Sequence, residues 1–306
     1  MKNTFLLLSF GWLFLTACSN YNQIVKADDF AAKYELANKL YDQKQYEKAI
    51  VLYEQIYQHA PKSAEGELSY YRLAKSYFQI EDYYMAQYYY SAYMQRFPYS
   101  VKNEEVLFMV ALCSVKNSPE YSLDQTETEL AINNVQQFID RYPQSYLLDS
   151  CNKIIDQLEF KLETKSYSQV KLYDKMQSYR AAVAAGELFL EGHGQSDYAE
   201  EVNYLIVKNS YFLTVNSIES KKTERIDQTN ERFRTFALRY PDSKYTNELS
   251  AFIEKLSEKT TEKWIMSYKN TPAEKSTITR DTIRMEEKTG NIYQSLVAIS
   301  KRANRS

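Results

Sequence analysis

Glycine is scarce in this sequence, with six in 306 residues, whereas an average protein has about 7%. Glycine is the residue that best tolerates positive φ angles and close backbone approach, which phosphate-binding loops and tight β-turns require. No two of the six are placed in a phosphate-loop pattern. The shortage argues against a doubly wound nucleotide-binding enzyme and against a turn-rich β-barrel, and it favours long helices joined by short connections.

Histidine, cysteine and an excess of one charge are also lacking. The two histidines, His59 and His193, and three cysteines leave little for a metal site or a histidine-based catalyst, and no nucleophile–base arrangement is visible. Lysine and arginine number 38 against 40 acidic residues, so the chain lacks the basic face that nucleic-acid binding needs. We therefore expect a protein that is not an enzyme, has no cofactor or metal, and binds no nucleic acid.

Two of the cysteines leave two interpretations open. Cys113 and Cys151 could form a disulfide in an oxidising compartment. They are expected on two different helices whose separation the sequence does not give, so the interpretation as two buried thiols is favoured.

The N-terminus has the pattern of an export signal. Lys2 precedes an apolar run over residues 5–15, which is too short to span a bilayer comfortably and is typical of a signal peptide. The run ends in Leu15-Thr16-Ala17-Cys18, which resembles the lipobox of bacterial lipoproteins. That resemblance implies that residues 1–17 are removed and that Cys18 carries a diacylglyceryl group and an acylated N-terminus. We predict a lipidated tether over residues 18–30; the alternative is an ordinary secreted protein with a chance cysteine.

A short motif recurs along the rest of the chain. It consists of a basic residue, an aromatic or small residue, proline, any residue and serine, and it occupies residues 59–63, 96–100, 141–145 and 239–243. A looser copy has Gly194 at the proline position. Proline cannot continue a helix and serine can cap the next one, so each copy predicts the end of one helix and the start of another.

The residues before each proline follow the tetratricopeptide (TPR) pattern. Small residues at Ala37 and Ala49 recur 37 residues later at Ala74 and Ala86, where they allow two helices to approach closely. The sequence therefore predicts an all-α TPR solenoid of about five helix pairs over residues 31–259.

A TPR array binds peptides on its concave face, which is formed mainly by the first helix of each pair. The residues expected there, as a client-binding groove, are Tyr34, Asn38, Tyr41, Tyr71, Lys75 and Phe78. Tyrosine offers a large contact area with a polar tip. The alternative is that these tyrosines only pack between repeats.

A lipobox followed by about five divergent repeats resembles the BamD family, the lipoprotein subunits of the β-barrel assembly machine in Gram-negative outer membranes. The resemblance covers roughly residues 18–256 and is most specific at Lys39-Leu40-Tyr41-Asp42, Leu123-Asp124-Gln125-Thr126, residues 138–145 and residues 216–225. It implies a lipid-anchored outer-membrane protein that faces the periplasm.

In that family the N-terminal repeats receive unfolded outer-membrane protein clients, and the C-terminal repeats dock on BamA, the barrel-forming subunit, among other subunits of the machine. The fourth repeat here lacks its proline, so only the region of the BamA contact is carried over. The alternative is a generic periplasmic TPR lipoprotein that scaffolds cell-envelope or cell-wall complexes.

The C-terminal stretch over residues 260–306 does not continue the repeat, and we expect a polar, poorly ordered tail. Residues 266–306 resemble the start of the omega subunit of bacterial RNA polymerase, with Gly290 and Tyr293 before an apolar segment that ends in basic residues. One hypothesis is that Met266 began a neighbouring reading frame that has become fused to this one. The alternative is a tail with one short amphipathic helix, and we assign it no function.

Overall fold

The structure is a computed structural model that describes residues 21–269, with side chains described as far as residue 258. A helical turn at residues 21–26 precedes a series of helices, and no strand occurs in the described range. The helices are α1 (Phe30–Asp42), α2 (Tyr46–His59), α3 (Ala64–Gln79), α4 (Tyr83–Arg96), α5 (Asn103–Asn117), α6 (Thr126–Arg141), α7 (Leu148–Lys175), α8 (Tyr179–His193), α9 (Ala199–Val215), α10 (Glu219–Arg239) and α11 (Thr246–Lys269). The prediction of an all-α fold is confirmed.

The chain divides into two compact units, Met1–Lys165 and Ser166–Ser306, and the boundary falls within the 28-residue helix α7. The described part of the first unit contains α1 to α6 and the beginning of α7. The second contains the rest of α7 and α8 to α11. In both units consecutive helices pack against each other, and alternate helices also meet, α1 with α3 and α9 with α11. This is the packing that stacked helix pairs produce.

Small residues and tyrosines together build the core of the first unit. Ala37 and Ala49 of the first pair are fully buried, as are Ala74 and Ala86 of the second. Their size lets the paired helices approach, and three tyrosines with no exposed surface fill the spaces beside them: Tyr53, Tyr90 and Tyr93. The repeat pattern in the sequence is therefore the packing pattern of the core.

The proline–serine motifs lie between helices, as predicted, but the serines act in two ways. Ser63 caps α3, since its Oγ accepts a hydrogen bond from the Gly66 N–H at 2.9 Å. Ser145 and Ser243 instead accept from the N–H two residues further on, at 3.2 Å in both cases, before the next helix begins. These two serines stabilise the turn rather than the helix end.

The turns inside helix pairs use left-handed residues that are not glycine. Lys44, Glu81 and Gln177 have φ angles of 60°, 64° and 56°, and each follows the first helix of a pair. A non-glycine residue in this region costs about 1 kcal/mol. The chain thus makes these tight connections with residues other than glycine. The low glycine content of the sequence did not predict turns of this kind.

The last helix continues past the boundary that the sequence suggested. α11 ends at Lys269, whereas the sequence placed the end of the repeat at residue 259. No proline or glycine interrupts the chain between Thr246 and Pro272, so nothing stops the helix earlier. The omega-like stretch beyond Lys269, like Cys18, lies outside the described residues.

Glu67 links α3, α4 and the turn that follows α4, and it gives the first unit a pH dependence. Its Oε1 accepts hydrogen bonds from the Tyr93 hydroxyl at 2.6 Å and the Ser100 hydroxyl at 2.7 Å. These bonds, the Tyr93 bond first, hold the pKa of Glu67 below its ordinary value of 4.5. A lowered carboxyl pKa stabilises the fold above the unfolded pKa, and this stabilisation is lost as the pH falls through the folded value.

We expect Glu67→Gln to lower the free energy of unfolding by about 1 kcal/mol at neutral pH, because a charge-assisted acceptor becomes a neutral one. The difference from the wild type should shrink as the pH falls below the unfolded pKa and through the lowered folded one, because the wild-type carboxyl then becomes protonated as well. Urea unfolding followed by circular dichroism across this range measures it. Glu65→Gln, at an exposed carboxylate in the same turn of α3, is the control. An identical pH dependence for both variants would contradict the assignment.

Candidate functional site

The six predicted groove residues lie on the first helices of two pairs, three on α1 and three on α3. Two of them belong mainly to the packing. Tyr34 and Phe78 are half-buried against the core of the first unit, and the Phe78 ring meets the Tyr83 ring edge to face with centroids 5.3 Å apart. The other four are drawn into two polar clusters by residues that the sequence did not single out.

The first cluster is centred on Arg72. The Asn38 Oδ1 accepts hydrogen bonds from the Arg72 guanidinium at 2.5 Å and from the Tyr53 hydroxyl at 2.9 Å. The guanidinium carbon lies 5.3 Å from the ring centroid of Tyr41, within the range of a cation–π contact. Burial raises the pKa of Tyr53 to about 12, so its hydroxyl stays protonated and remains a donor. We call Asn38, Tyr41, Tyr53 and Arg72 the Arg72 network.

The second cluster, the Glu105 triad, consists of Tyr71, Lys75 and Glu105. The Tyr71 hydroxyl donates to the Glu105 carboxylate, and the Lys75 ammonium lies 3.8 Å from the same carboxylate and 5.5 Å from the Tyr71 ring centroid. Burial, and then the neighbouring Glu105, raise the pKa of Tyr71. Tyr71 is only 7% exposed, whereas the side chains of Lys75 and Glu105 are 38% and 51% exposed. The surface open to a ligand is therefore the charged pair, and the tyrosine fixes its position.

Arg72 and Glu105 are the residues that sequence reasoning missed. Arg72 follows Asn38 by 34 residues, and Glu105 follows Tyr71 by the same interval. Equivalent positions of the first two pairs are 37 residues apart, as Ala37 and Ala74 are. Arg72 therefore lies three residues, about one helical turn, before the position equivalent to Asn38, and the repeat pattern alone does not pair the two.

The second unit contains a counterpart, the Glu201 triad. The Tyr167 hydroxyl donates to the Glu201 carboxylate at 2.6 Å. The Lys171 ammonium donates to the Tyr167 oxygen at 3.1 Å and lies 3.3 Å from Glu201. The hydrogen bond to Tyr167 is the first cause of a raised pKa for Lys171, which stays charged at neutral pH. None of these three residues stands out in the sequence.

The turn between α9 and α10 lies in the stretch where the resemblance to BamD is specific. The Arg225 guanidinium donates to the Ser217 hydroxyl, and the Arg225 carbonyl accepts from the hydroxyl of Thr214, on α9, at 3.3 Å. These contacts hold the turn in place from the side of α10. Ile218, within the turn, is 71% exposed, so an apolar side chain is held out to solvent on a fixed support.

An open groove of about 600 Å³ lies between α4 and α6, on the second helices of their pairs. Tyr84, Tyr88 and Leu130 contribute its apolar lining and are all exposed. None of the predicted groove residues lines it.

Other kinds of site are not found in the part of the chain that the structure describes. No cluster of three potential metal ligands occurs there, and none of its helices combines the length and apolarity of a membrane span. Cys113 and Cys151 are free and buried, which confirms the interpretation as thiols rather than a disulfide, and burial raises the pKa of Cys113 to about 12.

Comparison with known proteins identifies the family. The profile of the family described as YfiO, outer membrane lipoprotein, matches residues 26–187 and 160–269. A crystal structure of a kinesin light chain from Podosopora anserina with nearly identical TPR-like repeats is similar at 12% identity, over 70% of this chain and 96% of that chain, with a TM-score of 0.29. Comparison with curated proteins gives no significant match.

The family match confirms the resemblance to BamD and extends over most of the described helices. It makes the protein an outer-membrane lipoprotein of the assembly machine, and this class of repeat scaffold is not enzymatic. The chain belongs to the YfiO family of outer membrane lipoproteins.

Proposed function

We propose that the protein holds unfolded outer-membrane proteins on the first-helix face of its first unit and docks on BamA through the turn between α9 and α10. A lipid on Cys18 keeps it at the outer membrane, facing the periplasm. The observation that carries the client site is the pair of polar clusters, the Arg72 network and the Glu105 triad. Apart from Tyr53 on α2, their residues lie on α1, α3 and α5, which are first helices of their pairs and so belong to the concave face of a TPR array.

The clusters suit a binding face because their charged groups are partly exposed and already held in place. The Lys75 ammonium is anchored by Tyr71 and Glu105, and the Arg72 guanidinium by Asn38. Ordering a long side chain on binding costs about 0.5–1.5 kcal/mol. Preformed donors and acceptors avoid much of this cost, which matters for a protein that must hold many different clients weakly and release them.

The BamA contact is supported by the exposed Ile218 and by the contacts that fix its turn. An apolar side chain on a rigid support is a typical interface anchor, since it loses little freedom when it is covered. The neighbouring Arg225 also offers a cation at the rim of such a contact.

The test of this function is a pulldown of the tagged protein from outer membranes in mild detergent. We expect BamA among the co-purifying proteins. We expect Ile218→Asp to reduce the recovery of BamA about tenfold or more, because a charge would replace the apolar side chain that the contact covers. Leu238→Asp is the matched control, since Leu238 is an equally apolar residue that is 85% exposed on α10.

Recovery of cell-wall or division factors without BamA would overturn the proposed function. Loss of BamA with Leu238→Asp alone would move the contact to the end of α10. Circular dichroism of both variants checks that the fold is intact, which their exposure predicts.

A further inference from the structure

The Glu105 and Glu201 triads are the same constellation in two units. In each, a tyrosine is followed after four residues by a lysine and after 34 residues by a glutamate on the first helix of the next pair. In each, the tyrosine donates to the carboxylate and the lysine donates to the tyrosine oxygen, at 3.5 Å from Lys75 and 3.1 Å from Lys171. The lysine also lies over the tyrosine ring, 5.5 Å and 5.0 Å from its centroid.

The charged pair of each triad is open to solvent. The Lys171 and Glu201 side chains are 52% and 33% exposed, and those of Lys75 and Glu105 are 38% and 51% exposed. An ammonium has three donor hydrogens, and a carboxylate has about four acceptor positions. The tyrosine and the ion pair use only part of this capacity, so each triad presents a spare donor beside a spare acceptor.

A donor beside an acceptor is the complement of a peptide amide. The spare lysine hydrogen suits a backbone C=O, and the spare carboxylate lone pair suits a backbone N–H. Both groups are unpaired along an extended chain, as they are along the edge of a sheet. A triad of this kind would hydrogen-bond to the peptide backbone and not to the side chains, so it could bind clients of unrelated sequence.

We propose that the Glu201 triad is a second peptide-binding site, in the second unit, which takes the extended backbone of an unfolded polypeptide through its amide groups. The inference rests on the proposed function in one respect, that the Glu105 triad takes part in the client site of the first unit. It adds a site in repeats that the resemblance to BamD assigns to docking alone.

The new site does not compete with the proposed BamA contact. Glu201 lies in the first turn of α9, and Asn216 follows its last residue. With a rise of 1.5 Å per residue, the two ends are about 22 Å apart along the helix. A short peptide at the triad therefore leaves the turn at Ile218 uncovered.

The test is calorimetric titration of the full-length protein in mild detergent with a peptide of about ten residues that has the alternating apolar pattern of a barrel strand. We expect two peptides to bind per chain. The double variant Tyr167→Phe/Lys171→Met should bind one, and so should Tyr71→Phe/Lys75→Met. Tyr204→Phe is the control, since this tyrosine lies on α9 outside the triad and bonds to Glu248, and it should bind two.

Two further peptides distinguish recognition of the backbone from recognition of the side chains. N-methylation of all internal amides removes the donors along both edges of the extended chain and should abolish binding at both triads, whereas a scrambled sequence with the same pattern should still bind. Equal binding of the methylated peptide would overturn backbone recognition.

The remaining outcomes distinguish this inference from the proposed function. One peptide per chain, lost only with the Tyr71/Lys75 variant, would overturn the second site and leave the proposed function intact. One peptide per chain, lost only with the Tyr167/Lys171 variant, would keep the new site and overturn the client site of the first unit. No binding by the wild type would overturn both.

Discussion

Replacing Gly66 with alanine is expected to destabilise the first unit by about 2 kcal/mol or more. A Cβ at this position would lie 2.0 Å from the carbonyl oxygen of Ala60 and 3.0 Å from its carbonyl carbon. Both are backbone atoms, so no side chain can rotate away to relieve the clash. A gain of about 1 kcal/mol in helix propensity offsets only part of the cost.

The surroundings of Gly66 explain why the backbone cannot simply shift. The Gly66 N–H donates to the Ser63 Oγ at 2.9 Å, and the Ser63 hydroxyl donates to the Ala60 carbonyl at 3.0 Å. Moving either the Ala60 or the Gly66 backbone away from the new methyl group therefore breaks the cap of α3. Loss of a serine cap alone costs about 1 kcal/mol.

Gly192→Ala is the matched control, because the same chemical change meets nothing there. Gly192 is exposed near the end of α8, and a Cβ would have no atom within 4 Å. Alanine should stabilise this helix by about 0.5–1 kcal/mol, since it restricts the unfolded chain more than glycine does. Urea unfolding followed by circular dichroism measures both variants. Changes of the same sign would contradict the account of Gly66.

The sequence predicted the helix pairs because the features that define them are local and periodic. Ala37 and Ala74 are small where helices must touch, and Pro61 and Pro98 end helices wherever they occur. Each of these effects depends on a residue and its near neighbours along the chain, so it can be read without knowing the fold. The buried alanines and the helix ends at His59 and Arg96 follow this pattern.

The polar clusters were not predictable in the same way, because they depend on which helices face each other. Asn38 and Arg72 are ordinary surface residues when each helix is considered alone. Only the stacking of α1 on α3 brings them within 2.5 Å. The same holds for Lys171 and Glu201, which approach across two pairs of the second unit.

The exposure of the tyrosines also depended on this stacking. Tyr71 is at a position that a single helix would present to a ligand, yet α4 and α5 cover it: its ring lies 6.0 Å from that of Tyr93, and its hydroxyl is bonded to Glu105. Its contribution to the site is to orient two charges. The tyrosine-rich sequence thus predicted the position of the first-helix face. It was a poorer guide to which side chains of that face are open to a ligand.

Cys18→Ala is expected to have the largest effect on location, transferring nearly all of the protein out of the outer-membrane fraction. Each buried methylene contributes about 0.8 kcal/mol to membrane binding, and one acyl chain anchors only marginally whereas several anchor durably. The described helices include none that could cross a membrane instead. In both proteins residues 1–17 should be replaced by a leader that is cleaved off after export. The leader of the protein with Cys18 contains the lipobox, and the leader of the Cys18→Ala variant does not.

The measurement is the outer-membrane content after an alkaline wash, which strips proteins held only by partners. Cys113→Ala is the control, because it makes the same chemical change at a thiol buried in the first unit. It should cost some stability through a small cavity but leave the protein in the washed membranes. If Cys18→Ala also stays there with its fold intact, the anchor lies elsewhere in the chain. If it is released only by the wash, protein contacts hold it at the membrane beforehand, and the lipid supplies the resistance to washing.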